Sequence, residues 1–528
     1  MKKDATAIAR SGDGIDGRSD VRRTKVPQED HDDDNHNDGS ANGSGSDDHS
    51  IHHEHGLDHW QHQHSKTKIT RSTYIFALCA AINSVNLGYD IGISPNVGPL
   101  IEKDLNLTTW EREAFIGCLN FWSMFGSLFA YWITDRYGRR RSFIAAAFTF
   151  ILGVLLMASA QSYGALMAGR TLVGLGVGFG LAIDPLYIAE ISPASHRGEL
   201  VTWSEIANNV GSLTGFSAGL MFYKLDDDIE WRVMFLMGGI LPVVMIVLVL
   251  TVMPESPRWL VANNREAEAR TILQKIYPAG YDIDPVLEDI SDALERENDP
   301  SSSIGWRMIF FPTPAVRRML IVGVGTAMAQ QAVGIDAIQN YLNDVLEKAG
   351  VESTKQRLEI LILLGVIKLL FIFVGGKLFD VRGRRPLLLA SLGGMFLAFV
   401  IVGSAFVGGI GPSEAKIAIG GLAMYLAFFS IGMGPGAWLI PSEVFPTSVR
   451  AKAMSVASFS NRISATFMAS TFLSLANAMG WAGFFFVLAV NCLLVAVFVF
   501  TLLPETKGRS LEDMALYFAE VTGDQTLL

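Results

Sequence analysis

The sequence predicts an all-α membrane protein of twelve spanning helices in two repeated six-helix halves, preceded by a disordered tail. Composition, the spacing of the apolar runs and a set of twice-occurring motifs carry that prediction. Of 528 residues, 50% are hydrophobic and 18% charged, with a mean hydropathy of +0.32; soluble domains average about 25% charged. Apolar runs of about 20 residues, the length that crosses hydrocarbon, fall near 72–95, 112–134, 142–160, 164–189, 199–223, 232–252, 318–346, 357–379, 386–409, 416–440, 451–475 and 480–503.

Residues 1–70 come first and are of another kind. The stretch "HDDDNHNDGSANGSGSDDHSIHHEHGLDHWQHQHS" is polar, of low complexity and almost free of aliphatic side chains, so it lacks the apolar surface to fold. It has no apolar core of a cleaved signal and is too acidic for a usual transit peptide. Nine of the ten histidines lie here; a solvated tail is the expectation, with weak divalent-metal or pH sensing by "HHEH" as the alternative. The tail supplies part of the net charge of −10, which therefore gives no case for nucleic acid.

The N-terminal half, 71–252, and the C-terminal half, 318–503, flank a charged, Pro-containing linker, 253–317, with helical stretches such as "NNREAEARTILQKIY". A short C-tail, 504–528, follows. Lys and Arg crowd "DRYGRRRS", "HRGEL", "DVRGRRPL" and "SVRAK" on one side of the membrane, so the positive-inside rule puts both termini and the linker in the cytoplasm. Cys79, Cys118 and Cys492 lie in apolar segments and read as small buried hydrophobes, not as a disulfide framework or metal site.

The halves repeat each other at a period of about 250 residues. "DRYGRR" at Asp135 recurs as "DVRGRR" at Asp380, "EISPASHR" at Glu190 as "EVFPTSVR" at Glu443, and "PESPR" around Glu255 as "PETKGR" around Glu505. Two six-helix halves of like orientation, rocking about a central site, are the major-facilitator architecture. Asp135, Arg139, Arg140, Glu190, Arg197, Glu255 and Arg258 in one half, and Asp380, Arg384, Arg385, Glu443, Arg450 and Glu505 in the other, lie at helix ends. A solvated positive-inside loop is one reading of each residue, and a salt-bridge latch is the reading of the set. Exposed pairs contribute under about 1 kcal/mol each, so several are needed to bias a two-state equilibrium.

Ionisable residues deep in a span each call for a cavity or a partner. Asp90, Arg170, Glu205, Asp336, Lys368 and Arg462 fall there. Three acids and three bases lining one cavity would leave it near neutral and favour a small uncharged substrate. Desolvation raises a carboxyl pKa and a nearby arginine lowers it, so a movement that changes the distance between such a pair switches proton affinity, whereas a structural ion pair never titrates. In "GTAMAQQAVGIDAIQNYLNDV", Gly334 weakens the helix, and Asp336 and Asn340 share a face beyond it. Gln330 and Gln331 offer amides suited to vicinal hydroxyls. Trp438 offers a flat apolar face and an indole N–H. For any one of these, a polar helix contact is the competing reading.

In order along the chain, "GYDIG", "DRYGRR", "GRTLVGLGVGFG", "PLYIAEISPASHRG", "PESPRWL", "QQAVGID", "GRRP", "GMGPGAWLIPSEVFP" and "PETKGRSLED" cover nearly everything after residue 70. In these motifs the chain resembles the sugar porter family of the major facilitator superfamily. The resemblance implies that Asp90 and Arg170 are a proton-coupling pair. It also implies that Gln330, Gln331, Asp336, Trp438 and Asn461 contact substrate, and that the repeated charges hold the cytoplasmic side shut. One departure is Tyr131, where the family has the glycine matched by Gly376 in the second half; close helix approach is therefore less expected in the first half.

"GID" for "GIN", Glu205 for Gln, Lys368 for Asn, and the pair Asn461 and Arg462 make the chain similar to plant-type polyol and monosaccharide proton symporters. An added carboxylate and ammonium can bind linear polyols as well as rings, although Glu205, Asp336 and Lys368 pairing only with one another is equally consistent with the sequence. The expectation is a proton-coupled symporter of polyols or monosaccharides, a monomer with no cofactor beyond the proton, no metal site and no catalytic group. An uncoupled carrier and a non-transporting sugar sensor are the alternatives. The plasma membrane is the expected address; "DQTLL" at 524–528 resembles an acidic dileucine signal and leaves a vacuolar or endosomal one open.

Overall fold

The computed structural model describes residues 69–193, 196–298, 306–408, 411–446, 449–509 and 511–524. The His-rich tail to residue 68, residues 525–528 of the dileucine-like stretch, and the side chains of Arg197 and Asp380 lie outside the described residues. In the first half, helices α1 (Arg71–Asp104), α2 (Thr109–Tyr137), α3 (Arg139–Ala158), α4 (Tyr163–Ile191) and α5 (Arg197–Phe222) are followed by α6 (Asp227–Gly238) and α7 (Ile240–Thr251), two parts of one span. The linker forms α8 (Pro257–Ala262), α9 (Glu266–Ile276), α10 (Asp284–Asn298) and α11 (Trp306–Phe310).

The second half opens with a span broken into α12 (Pro314–Ala332), α13 (Ile335–Asn340) and α14 (Leu342–Lys348). It continues through α15 (Thr354–Arg382), α16 (Arg384–Val407), the split pair α17 (Pro412–Ile431) and α18 (Met433–Val444), α19 (Arg450–Met479) and α20 (Trp481–Leu502). A last helix, α21 (Leu511–Thr522), docks what was expected to be a tail: Met514 and Phe518 are buried, and Asp524 Oδ2 accepts the Ala315 N–H at 3.2 Å.

Local chemistry sets the boundaries. Thr108 and Glu111 form a reciprocal capping box at the start of α2, and Ser256 caps α8 with Pro257 at its first position. Gly138 and Gly383, at φ +89° and +88°, make the same left-handed turn between α2 and α3 and between α15 and α16. A side chain would be strained in that turn.

Among the described residues, ten helices are long and apolar enough to cross a membrane. Two of the twelve expected spans, α5 and α19, have the length, 26 and 30 residues, but not the apolarity. They carry Glu205, Asn208, Asn209, Asn461 and Arg462, and they meet the opposite half instead of facing only lipid. Gly365 of α15 lies against Phe216 of α5, and Gly117 of α2 against Ser470 of α19. Inside the first half, Gly92 and Gly215 bring the backbones of α1 and α5 together, since a Cβ on either would collide with the other.

The glycine missing at Tyr131 proves not to mark a close approach. A Cβ at its counterpart, Gly376, would meet nothing within 4 Å, whereas a Cβ at its neighbour Gly375 would lie 2.7 Å from the Ser430 carbonyl oxygen and 2.8 Å from that of Ile431.

Candidate functional site

The first half holds a sealed ion pair. From α4, Arg170 Nη1 donates to both oxygens of Asp90 on α1, at 2.8 and 3.0 Å, with the side chains 1% and 3% exposed. The guanidinium also lies over the Phe115 ring, 4.7 Å from its centroid. A charge buried this far is tolerable only while its partner stays. The sequence-predicted pair is thus brought together, and neither member forms an ion pair with the other four deep charges.

The second half holds an amide network on the broken span. Gly334, at φ +88°, ends α12 and starts α13. That break leaves Gln330 and Gln331 facing α19 and sets Asp336 at the start of the next segment. Asn461 Nδ2 donates to Gln330 Oε1 at 3.0 Å and to the Ala327 carbonyl at 2.7 Å, while Gln330 Nε2 donates to the Gly434 carbonyl at 3.0 Å. The Gly434 contact ties the break at Gly334 to the second break, at Gly432, where Trp438 stands half-buried on α18.

Arg462 extends the network across the interface between the halves. It donates to Asn461 Oδ1 at 2.6 Å and to Asn120 Oδ1 of α2 at 3.1 Å, and lies 3.8 Å from Asp336. Gln331 Oε1, Asn208 Oδ1 and Asn209 Oδ1 are buried and accept no hydrogen bond from the protein. Of these, Asn208 Oδ1 lies against Gly88 of α1, while Gln331 Oε1 belongs to the amide network around Asn461. Asn340 is buried beyond the break.

Glu205, Asp336 and Lys368 do not pair with one another. Lys368 Nζ donates to Gln339 Oε1 at 3.0 Å, Glu205 accepts from Asn209 Nδ2 at 3.3 Å, and Asp336 leans toward Arg462. Glu205 stays within electrostatic reach of Lys368, Asp336 and Arg462, so the four make one loose, balanced cluster.

The repeated charges form matching clusters at one end of the bundle. Arg139 clasps Glu190 at 2.8 and 2.9 Å and lies 3.6 Å from Asp135. The Arg139 and Arg140 N–H groups donate to Glu255, and the Arg140 guanidinium to the Val249 carbonyl. In the second half Arg384 clasps Glu443 at 2.8 and 3.1 Å, the Arg384 and Arg385 N–H groups donate to Glu505, and the Arg385 guanidinium reaches the Phe500 carbonyl. Each of these bonds stays within its own half. Arg450 Nε donates to the Phe445 carbonyl at 3.1 Å, again within one half, and Arg258 lies at the start of α8.

Further polar bonds cross between the halves in the middle and at the other end, on residues that sequence reasoning missed. Arg112 of α2 makes a two-pronged contact with Asp344 of α14 at 2.6 and 2.8 Å, and also binds Glu102 at 2.9 Å. It sits over the Tyr341 ring, which stacks on Phe472. Fully buried Glu113 accepts the Ser474 N–H at 2.8 Å and the Ser474 hydroxyl. Asp184 was missed as well: it is buried on α4 and adds an acid to the six deep charges expected from the sequence. Ionisability within the apolar run before Pro185 was its signal. The Arg112–Asp344 clamp left none, since both residues sit near span ends where charge is ordinary.

Twelve helices in two like halves, one sealing an ion pair and the other breaking its helices around an amide network, define a membrane transporter of the major facilitator class. The family model for "Sugar (and other) transporter" matches residues 76–518, and the chain belongs to that family. It is 38% identical over 461 residues to Probable polyol transporter 4 of Arabidopsis thaliana, covering 87% of this chain and 88% of that one. It is also 38% identical over 477 residues to Putative polyol transporter 1 of the same plant, covering 86% and 93%. Among solved structures it aligns with the proton:xylose symporter XylE of E. coli bound to 6-bromo-6-deoxy-D-glucose, with TM-score 0.71 and 25% identity, covering 84% and 99%. These relatives are transporters, not enzymes.

Proposed function

We propose that the protein carries a polyol or monosaccharide together with a proton by alternating access. The observation that carries the proposal is the sealed Asp90–Arg170 pair in one half, beside an amide network in the other whose Gln331 Oε1 is an unmet acceptor. The two Arabidopsis relatives are named for polyol transport and the aligned symporter for protons and xylose, which supports both the substrate class and the coupling.

In this reading a proton on Asp90 cancels its charge and frees Arg170 to shift over Phe115. Substrate hydroxyls bind Gln330, Gln331, Asn461 and Arg462, with Glu205, Asp336, Asn340 and Lys368 at the margin and Trp438 under an apolar C–H face. The Arg112–Asp344 clamp closes one mouth. The clusters around Arg139 and Arg384, with Arg197, Arg258, Asp380 and Arg450, engage across the halves when the site faces the other way. Lys and Arg in the connecting loops support cytoplasmic termini, and a monomer in the plasma membrane with no cofactor beyond the proton meets every requirement of the cycle.

The test is uptake of labelled sorbitol, mannitol, xylose and glucose by cells expressing the protein, with and without protonophore. Accumulation should collapse under protonophore, and Asp90→Asn should lose concentrative uptake while keeping counterflow exchange. Accumulation against a gradient by Asp90→Asn would defeat the coupling, and binding without any uptake would favour a sensor.

A further inference from the structure

A second buried carboxylate on α4 has no role in this scheme. Asp184 lies between Arg170 and Glu190 in sequence and is 2% exposed. Its oxygens accept from two neutral donors, Asn83 Nδ2 at 3.1 Å and Ser84 Oγ at 2.6 Å, both on α1. No cation pairs with it among the described residues. A cavity of about 10 Å³ opens beside it, walled by α1, α3 and α4, with Asn83, Ser84, Asn86 and Asp184 as its polar lining and Leu87 and Phe150 among the rest. Asp184 is the one charged or titratable group that any of these three helices turns into the cavity, and α2 and α5, which also pack on α4, contribute none to its lining. Room for a single water at most excludes a sugar.

The same lining holds a second mismatch. Asn86 is 4% exposed, and its Oδ1 is buried with no donor. An ionised Asp184 would leave a bare charge in an apolar wall and an acceptor unmet. A protonated Asp184 removes the charge and supplies one O–H donor. The same lining then holds one unmet acceptor and one added donor, so the two counts match.

We propose that Asp184, with Ser84, Asn83 and Asn86, forms a second proton-binding site in the N-terminal half, distinct from Asp90–Arg170. The two sites share the α1 and α4 pair, so a proton moving along that interface from Asp90 toward the Glu190 end meets a carboxyl that holds its own proton and passes the arriving one on by releasing it, with no arginine to keep it ionised. The site does not depend on coupling at Asp90, and the two claims separate experimentally.

Infrared spectra of the purified full-length protein at neutral pH read the carboxylic-acid C=O stretch directly. A deuterium-sensitive band should appear, persist in Asp90→Asn and vanish in Asp184→Asn. Asn86→Ala should keep the band but move it to higher frequency, because the acid loses its acceptor; this arm stands even where Asp184→Asn fails to fold. Spectra of parent and Asp184→Asn without difference in that region would overturn the proposal. Loss of the band on adding sodium at fixed pH would overturn it too, by making an alkali cation the occupant.

Discussion

The two halves make nearly the same structure at one end and different structures in their cores. Gly138 and Gly383 turn at the same angle, Arg139 and Arg384 clasp Glu190 and Glu443, and Glu255 and Glu505 each gather backbone N–H groups from the following helix. Further in, one half seals Asp90 against Arg170 on continuous helices, while the other breaks its helices at Gly334 and Gly432 and lines them with amides. Repetition therefore marks the parts built alike, and divergence marks two different core chemistries, which the proposed cycle assigns to proton and substrate.

Even the matched end differs in burial, and that difference gives the largest expected effect. Arg139 and Glu190 are 8% and 5% exposed, whereas Arg384 and Glu443 are 14% and 23% exposed. Glu443 also accepts the Thr506 hydroxyl at 2.5 Å. Arg139→Ala leaves a sealed carboxylate uncompensated and should cost about 3–5 kcal/mol. Arg384→Ala leaves one with water and a hydroxyl and should cost about 1.5–3 kcal/mol. Thermal unfolding of the two variants in the same detergent checks the order, and equal losses would mean that the halves are energetically alike at this end.

A pH series sharpens the comparison with a smaller effect of opposite sign. Burial pushes the Glu255 carboxyl above the ordinary range, despite the N–H groups of Ser256, Arg139 and Arg140. Burial pushes Glu505 the same way, but the N–H groups of Lys507, Arg384, Arg385 and Thr506 outweigh it and hold the carboxyl below that range. Glu505 thus contributes stability above its ordinary pKa that is lost as pH falls through the lowered one, whereas the Glu255 contribution is present below its ordinary pKa and lost as pH rises through the raised one. Relative to the parent, Glu505→Gln should lose stability at neutral pH and recover on acidification. Glu255→Gln should gain at neutral pH, and the gain should close on acidification. Melting curves of both variants that shift together with pH would erase the distinction.

Much of this was readable from residue order alone, for identifiable reasons. Span count and the repeat follow from apolar length and paired motifs, and the Gly334 break from a glycine amid polar residues. Asp90 and Arg170 stood out because a charge in an apolar run has few explanations, and the resemblance to sugar porters supplied their pairing. What was missed depends on pairings that no spacing encodes: Arg112 with Asp344 and Glu113 with Ser474 join residues from different halves near span ends. The docking of α21 was missed because a short amphipathic segment after the last span reads the same whether it packs or floats. The polarity of α5 and α19 was read only as site chemistry, whereas it also goes with position, since these helices meet the other half.

The smallest effect concerns the one place where the motif repeat itself fails, Tyr131 against Gly376. If Gly376 existed to let helices touch, a methyl there would be harmful and the first half would be the defective copy. Instead Gly376 is exposed in the interior of α15 with open space where a Cβ would go, and Gly375 makes the tight contact with the Ser430 and Ile431 carbonyls. Gly376→Ala should then stabilise by about 0.5–1 kcal/mol, since alanine loses less backbone entropy in a helix. Gly375→Ala must displace the backbone at the junction of α17 and α18 and should slow transport as well as lower the melting temperature. A Gly376→Ala protein that melts lower than its parent would restore the glycine as a packing requirement and make Tyr131 a structural departure between the halves.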